Sequence, residues 1–185
     1  MQIQLRLATP EDIPALDQLM RRSVQGLSAG YYTERQIELS LVHVFGIDTQ
    51  IVADGTYFVA EATRVSSSES QIAGCGGWSK RQTLYGGDQA KEGEDSLLDP
   101  ATEPARIRAF FVDPDFARKG IGRQIIGACE AAARAAGFTH LELGATLPGV
   151  PLYAALGYSP IEHIEHPMPE GEVLPIVRMG KVFAE

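Results

Sequence analysis

Cysteine is scarce in this chain. Its two thiols, Cys75 and Cys129, lie too far apart in 185 residues for a Cys-x-x-Cys metal or redox spacing. Their neighbours read as a strand and a helix, so buried free thiols are expected. No apolar run is long enough to span a bilayer. Arg6, Glu11 and Asp12 interrupt the N-terminal stretch and remove the pattern of a secretory leader. Basic residues are the minority, sixteen Lys and Arg against twenty-four Asp and Glu, for a formal charge of -8. That balance argues against nucleic-acid and anionic-membrane partners, which favour a basic field. Around His163 and His166 there is no compact metal spacing, and a polar loop is expected there without a metal. The absences together describe a chain of the cytoplasm.

What is present fits one domain over residues 1–185, with 44% hydrophobic residues to build a core. Gln2 to Leu7 alternates polar and apolar and reads as a first strand. Thr9-Pro10-Glu11-Asp12 carries the cap, the first-turn proline and the acidic third position of a helix start. Ile13, Leu16, Met20 and Val24 then share one helical face. A second helix is expected from Thr33, with Gln36 reaching back and Ile37 and Leu41 turned inward. Thr56 to Ala62 is rich in aromatic and β-branched residues and reads as a strand. A serine-rich turn at Val65 to Gln71 leads to a partner strand at Ile72 to Ser79. In that partner Gly74, Gly76 and Gly77 signal a bulge or a close backbone approach.

Lys80 to Pro104 is long and irregular, which in a small domain points to a functional loop beside an active site. Ala105 to Val112 reads as a buried strand. After Phe116 come Ala117-Arg118-Lys119-Gly120-Ile121-Gly122-Arg123, then a helix with apolar residues at Ile121, Ile125, Ile126, Cys129, Ala132 and Ala133. Ala136-Gly137 ends that helix. A strand over Thr139 to Leu143, a short helix over Pro148 to Ala155, a turn at Gly157-Tyr158 and a strand over Val173 to Val182 complete the chain.

A strand, a glycine turn and a helix in that order suit an anion. Gly120 and Gly122 leave backbone N–H groups unobstructed, and the helix N-terminus adds positive potential. Arg118, Lys119 and Arg123 supply charge that the overall acidity does not preclude. A solvent-facing turn before an amphipathic helix is the competing reading of the same residues. The nucleoside-triphosphate pattern GxxxxGK[ST] is absent, and only GxG of the dinucleotide fingerprint is present.

The stretch Phe111 to Gly122 resembles the cofactor motif Q/R-x-x-G-x-G/A of the GNAT superfamily of N-acetyltransferases. Gly120 and Gly122 match it, Arg118 and Lys119 fill the variable positions, and Ala117 departs from the usual Gln or Arg. Pro151 to Tyr158, containing Leu152-Tyr153-Ala154-Ala155-Leu156-Gly157-Tyr158, is similar to the late L-Y-x-x-L-G-F segment of that family. The resemblance implies an α/β fold of three layers with a central mixed, mostly antiparallel sheet flanked by helices. It implies acetyl-coenzyme A as cosubstrate, held by the turn residues Arg118 to Arg123, Ile121 included, with the backbone of Phe111 and Val112 beside the thioester. It also implies Tyr153 as the acid that protonates the departing thiolate, and a homodimer.

The chemistry is reasonable for Tyr153. A thiol near pKa ~8.5 and a phenol near ~10 differ by about 1.5 units, or about 2 kcal/mol, small beside a chemical barrier. Plain ring packing is the alternative for Tyr153. Glu61, Glu103 and His43 are candidate bases, each equally readable as a surface or capping residue. Tyr31, Tyr32 and Tyr85 are candidate walls of an acceptor pocket. Arg108, alternating with Arg106 on its strand, would attract a carboxylate on the acceptor. The function expected is acetyl transfer to the primary amine of a small molecule. A non-catalytic acyl-coenzyme A sensor, a protein or peptide N-acetyltransferase and a protein-interaction domain are the alternatives.

Overall fold

The computed structural model describes residues 1–63 and 70–184. The serine-rich turn expected at 65–71 therefore falls outside the described residues except for Ser70 and Gln71. Strand β1 (Gln2–Leu7) leads through a 3-10 turn into α1 (Ile13–Leu27). The backbone N–H of Thr9 donates to the Asp12 carboxylate at 2.8 Å, as the start signal requires. Helix α2 (Glu34–His43) is capped in the same reciprocal way. The Gln36 N–H donates to Thr33 Oγ1 at 3.1 Å, and the Thr33 N–H donates to Gln36 Oε1 at 2.9 Å. A short helix, α3 (Thr49–Ala53), follows with Asp48 as its cap. A helix of five residues between a buried aspartate and Gly55 carries too little periodicity to be read from sequence.

Strands β2 (Tyr57–Thr63), β3 (Ser70–Ser79) and β4 (Ala105–Val112) continue the sheet. Then come α4 (Ile121–Ala135), β5 (His140–Thr146), α5 (Val150–Ala155), β6 (Ser159–Pro167) and β7 (Val173–Val182). The seven strands lie in the order β1-β2-β3-β4-β5-β7-β6, antiparallel throughout except for the parallel pair β4–β5. The architecture is the expected mixed, mostly antiparallel sheet with helices on both faces. One apolar cluster packs α4 and α5 against the sheet, and a second packs α1, α2 and α3. Cys75 and Cys129 are buried and free, as expected.

The polar loop expected around His163 and His166 is instead strand β6. Its residues SPIEHIEHP are mostly exposed at a sheet edge, so no apolar alternation marks them. Both prolines sit at its ends, where an edge strand tolerates them.

Two irregularities open the middle of the sheet. Strands β4 and β5 pair only at Ala105–Leu141 and Arg106–Glu142, after which they part. On the other side of β4, Cys75 faces Phe111 and Gly77 faces Arg108, so Gly76 alone opposes both Ala109 and Phe110. This is a bulge, and Ala109 takes φ 49°, where a residue with a side chain is strained. The Tyr57 hydroxyl donates to the Ala109 carbonyl at 2.6 Å and holds it there. Gly76 is required: a Cβ would lie 2.2 Å from the Phe110 ring.

Candidate active site

The parting of β4 and β5 leaves a cavity of about 530 Å³. Its floor is Phe110, Phe111 and Val112, and one wall is α1 through Ser23 and Leu27. The far wall is the turn before α4 together with α5. Asp113 caps a 3-10 turn by accepting from the Asp115 N–H at 2.9 Å, and the chain then reverses with Arg118 at φ 61° and Gly120 at φ 81°. Among the described residues, the N–H groups from Arg118 to Arg123 have no protein acceptor. Six adjacent donors at the N-terminus of a fifteen-residue helix form a cradle for an anion. Gly122 is fixed by packing, since a Cβ there would meet Leu152 at 2.9 Å.

Arg118 and Arg123 line this cavity, and no Asp, Glu or His does among the described residues. The cavity is thus locally positive within an acidic protein. Pyrophosphate of coenzyme A fits such a donor set, with free amides to bind it and no carboxylate to repel it. Ala117 removes a side chain from the rim but no amide. Ile121 contributes its backbone, because its side chain is buried against Gly74. Lys119 turns away: its Nζ donates to the Asp115 carbonyl at 2.8 Å and lies 5.0 Å from the Phe116 ring centroid.

A second cavity, of about 70 Å³, lies on the other side of the bulge. Leu84, Tyr85 and Gly86 of the long loop close it above Gly46, Ile107 and Gly144. The two spaces share Phe45, Phe110, Phe111, Thr146 and Tyr153 as walls. The 80–104 loop thus stands at the site, as its length suggested.

Tyr153 stands at the junction. Its ring packs edge-on against Phe110 at 6.3 Å and Tyr158 at 5.9 Å. Its hydroxyl has no hydrogen-bond partner among the described residues. Burial, reinforced by Cys129, pushes the phenol above its ordinary value and keeps it protonated. A thiolate leaving in the same apolar space is desolvated too, so the gap between the two acids governs the transfer rather than either value alone.

The other tyrosines separate. Tyr31 is exposed and lines the larger cavity rather than the smaller. Tyr32 is a brace away from both: its buried hydroxyl donates to the Pro175 carbonyl at 2.7 Å and accepts from the Leu147 N–H at 2.9 Å. Tyr85 lines the smaller cavity, with its ring against Gly144, where a Cβ would sit 2.9 Å away.

Arg108 lines the smaller cavity, with its charge already paired. Its side chain is 0% exposed and meets Asp48, also 0% exposed, at 2.9 Å. It donates to the Thr83 carbonyl at 2.9 Å and the Gly86 carbonyl at 2.7 Å. A guanidinium paired with a buried aspartate and donating to two loop carbonyls fastens the loop, and its Nε is left without an acceptor among the described residues. Arg106 is likewise paired, with Glu142 at 2.7 Å. Of the candidate bases, Glu61 is bonded to Arg6 at 2.8 Å, Glu103 accepts from the Asp99 N–H at 2.7 Å, and His43 ends α2. None of the three lines either cavity.

A model of the acetyltransferase (GNAT) domain family matches residues 53–160. No curated protein matches the chain at a significant level. Among solved structures, a GCN5-related N-acetyltransferase from Rhodopseudomonas palustris superposes with a TM-score of 0.67 at 21% identity, covering 99% of this chain and 97% of that one. The PaiA N-acetyltransferase of Thermoplasma acidophilum, solved in complex with coenzyme A, gives 0.65 at 15% identity over 99% and 100%. The ribosomal-protein-S18-alanine N-acetyltransferase of Escherichia coli gives 0.59 at 14% identity over 100% and 96%. At these identities the likeness concerns the fold. No described helix is long and apolar enough to cross a membrane.

Proposed function

Because this chain belongs to the GNAT family of acetyltransferases and takes acetyl-coenzyme A as cosubstrate, we propose that it transfers the acetyl group to the primary amine of a small molecule. The observation that carries this reading is the wall shared by the two cavities. The larger leads from the amide cradle at Arg118–Arg123 to Tyr153, and the smaller leads from Tyr153 to the loop at Leu84–Gly86. Pyrophosphate on the cradle would direct the acetyl arm along Phe110 to Val112 toward the junction. An amine in the smaller space would then face the thioester carbon across the bulge.

Each residue has a distinct part in that scheme. The cradle binds and orients the cosubstrate, and the aromatic walls exclude water from the reacting centre. A backbone amide beside the thioester would polarise the acetyl carbonyl as charge develops on it, although the Val112 N–H already donates to Ser23 Oγ at 3.2 Å. Tyr153 gives its proton to the departing sulfur. The small volume, and a lining of Phe45, Leu84, Tyr85, Ile107, Phe110 and Phe111 beside the cationic Arg108, support a compact amine over a polycation.

The test is release of coenzyme A thiol from acetyl-coenzyme A across a panel of small primary amines and short peptides, with product masses recorded. Acceptor-dependent thiol release with an acetylated small apolar amine is expected. Acetylation of peptide N-termini alone would replace the small-molecule acceptor with a protein one. Cofactor binding without any turnover would favour the sensor.

A further inference from the structure

The site as described has an acid for the leaving sulfur and no group to take the proton of the attacking amine. Two side chains suited to this role lie on elements distant in sequence. Tyr85, from the long loop, lines the smaller cavity, and its hydroxyl is 2.9 Å from Nδ1 of His166 on β6. The rings meet edge-on with centroids 5.4 Å apart, which fixes the imidazole against the phenol. His166 is half-buried, so its ring connects the phenol to the protein surface. On the basis of this contact, and resting on the acetyl-transfer reading above, we propose that Tyr85 and His166 form a proton relay that carries the amine proton out of the acceptor cavity.

The step balances. The amine nitrogen forms its bond to the acetyl carbon while an N–H proton passes to the Tyr85 oxygen. The Tyr85 hydroxyl proton passes to His166 Nδ1, so the phenol stays neutral. The carbon–sulfur bond breaks, and the sulfur takes its proton from Tyr153. The imidazolium then loses its Nε2 proton to solvent and returns to its starting tautomer by exchange with solvent, and Tyr153 is reprotonated from solvent. The relay requires a neutral imidazole with its resident proton on Nε2.

The surroundings favour that state. Burial lowers the pKa of His166 below its ordinary value, against a smaller opposing pull from Glu92. From β7 the residue paired with His166 is Leu174, which bears no charge. Burial raises the pKa of Tyr85, so the phenol keeps its proton until it is handed on. The sign for activity follows: neutral His166 is depleted as pH falls, so the acid limb of the rate lies below the ordinary histidine value of about 6.5.

The experiment measures kcat with saturating acetyl-coenzyme A and saturating benzylamine, or the fastest amine of the panel, from pH 5 to 9. It compares the unaltered chain with His166→Gln and Tyr85→Phe, and measures coenzyme A affinity in parallel as the check on folding. The unaltered chain is expected to lose rate with unit slope below about pH 6.5. Both variants are expected to bind coenzyme A normally, to lose at least tenfold in kcat at pH 7.5, and to lack the acid limb. Variants that retain the limb overturn the relay, whether their rate is normal or reduced, because a reduced rate with the limb intact is a packing effect. An unaltered chain that acetylates no amine defeats the acetyl-transfer reading itself, a result distinct from either.

Discussion

The two halves of the site are built in opposite ways. The cosubstrate half is local: within a turn of seven residues, Ala117 to Arg123, the six N–H donors from Arg118 onward are held by backbone geometry and have no protein acceptor among the described residues. The acceptor half is assembled from Phe45 and Gly46 after α2, Leu84 to Gly86 in the long loop, β4, and Gly144 on β5. Its shape depends on ion pairs between distant segments, chiefly Arg108 with Asp48. Lys91 and Gln50 contact the other Asp48 oxygen. A local, backbone-made site can keep one cosubstrate while a site made of side chains and loops changes its acceptor. The difference predicts that substitutions should divide into those felt by coenzyme A and those felt by the amine.

The largest effect is expected at Arg108. Arg108→Met leaves the Asp48 carboxylate buried with Lys91 as its remaining cation. Breaking such a pair should cost about 3 kcal/mol of stability, at the low end of the range for buried pairs. Thermal or urea unfolding measures the loss. Coenzyme A affinity of the folded fraction should be unchanged, and selectivity for acidic amines should not appear or disappear. An altered preference for carboxylate-bearing acceptors would return Arg108 to the role first expected of it.

Tyr153→Phe removes one hydroxyl that has no partner among the described residues, so stability should hold while kcat falls about 100-fold. The KM for acetyl-coenzyme A should move little, because the ring and its contacts with Phe110 and Tyr158 remain. An unaffected kcat would assign the residue to packing. Gly120→Asp is the counterpart on the cosubstrate side. It places a carboxylate at the cradle and a side chain at φ 81°, and about 2 kcal/mol of lost binding corresponds to roughly thirty-fold in coenzyme A affinity by calorimetry. Smallest is Arg118→Ala, an exposed charge at the mouth. About threefold weaker binding is expected at low salt, with the difference fading as ionic strength rises.

These contrasts also explain what was legible in the sequence. The turn and α4 could be read because glycine spacing, a helical apolar face and the Ala136-Gly137 stop are all local. The stop is realised as Gly137 at φ 90° with the Phe138 N–H donating to the Ala133 carbonyl at 3.1 Å. Alternation placed Arg106 and Arg108 on one face correctly. It could not reveal that Asp48, sixty residues earlier, would neutralise one of them. Strand β6 was hidden because an exposed edge imposes no apolar alternation, and with it the approach of His166 to Tyr85. The glycines at 74, 76 and 77 did announce a close backbone approach. The partner of Gly76 across the bulge, Phe110, appears only once β3 and β4 are paired.

Coenzyme A and an amine that occupy separate spaces meeting at Tyr153 should respond separately when only one space is filled. Leu84 lines the smaller cavity and not the larger, so Leu84→Trp fills the acceptor space alone. Coenzyme A binding and acceptor-dependent thiol release are to be measured on the same preparation. Coenzyme A affinity should stay within about twofold of the unaltered chain, and amine turnover should fall at least about fifty-fold, roughly 2.3 kcal/mol of the transition state. Turnover of the same amine at the original rate would contradict this separation, because the acceptor would then reach the thioester by another path.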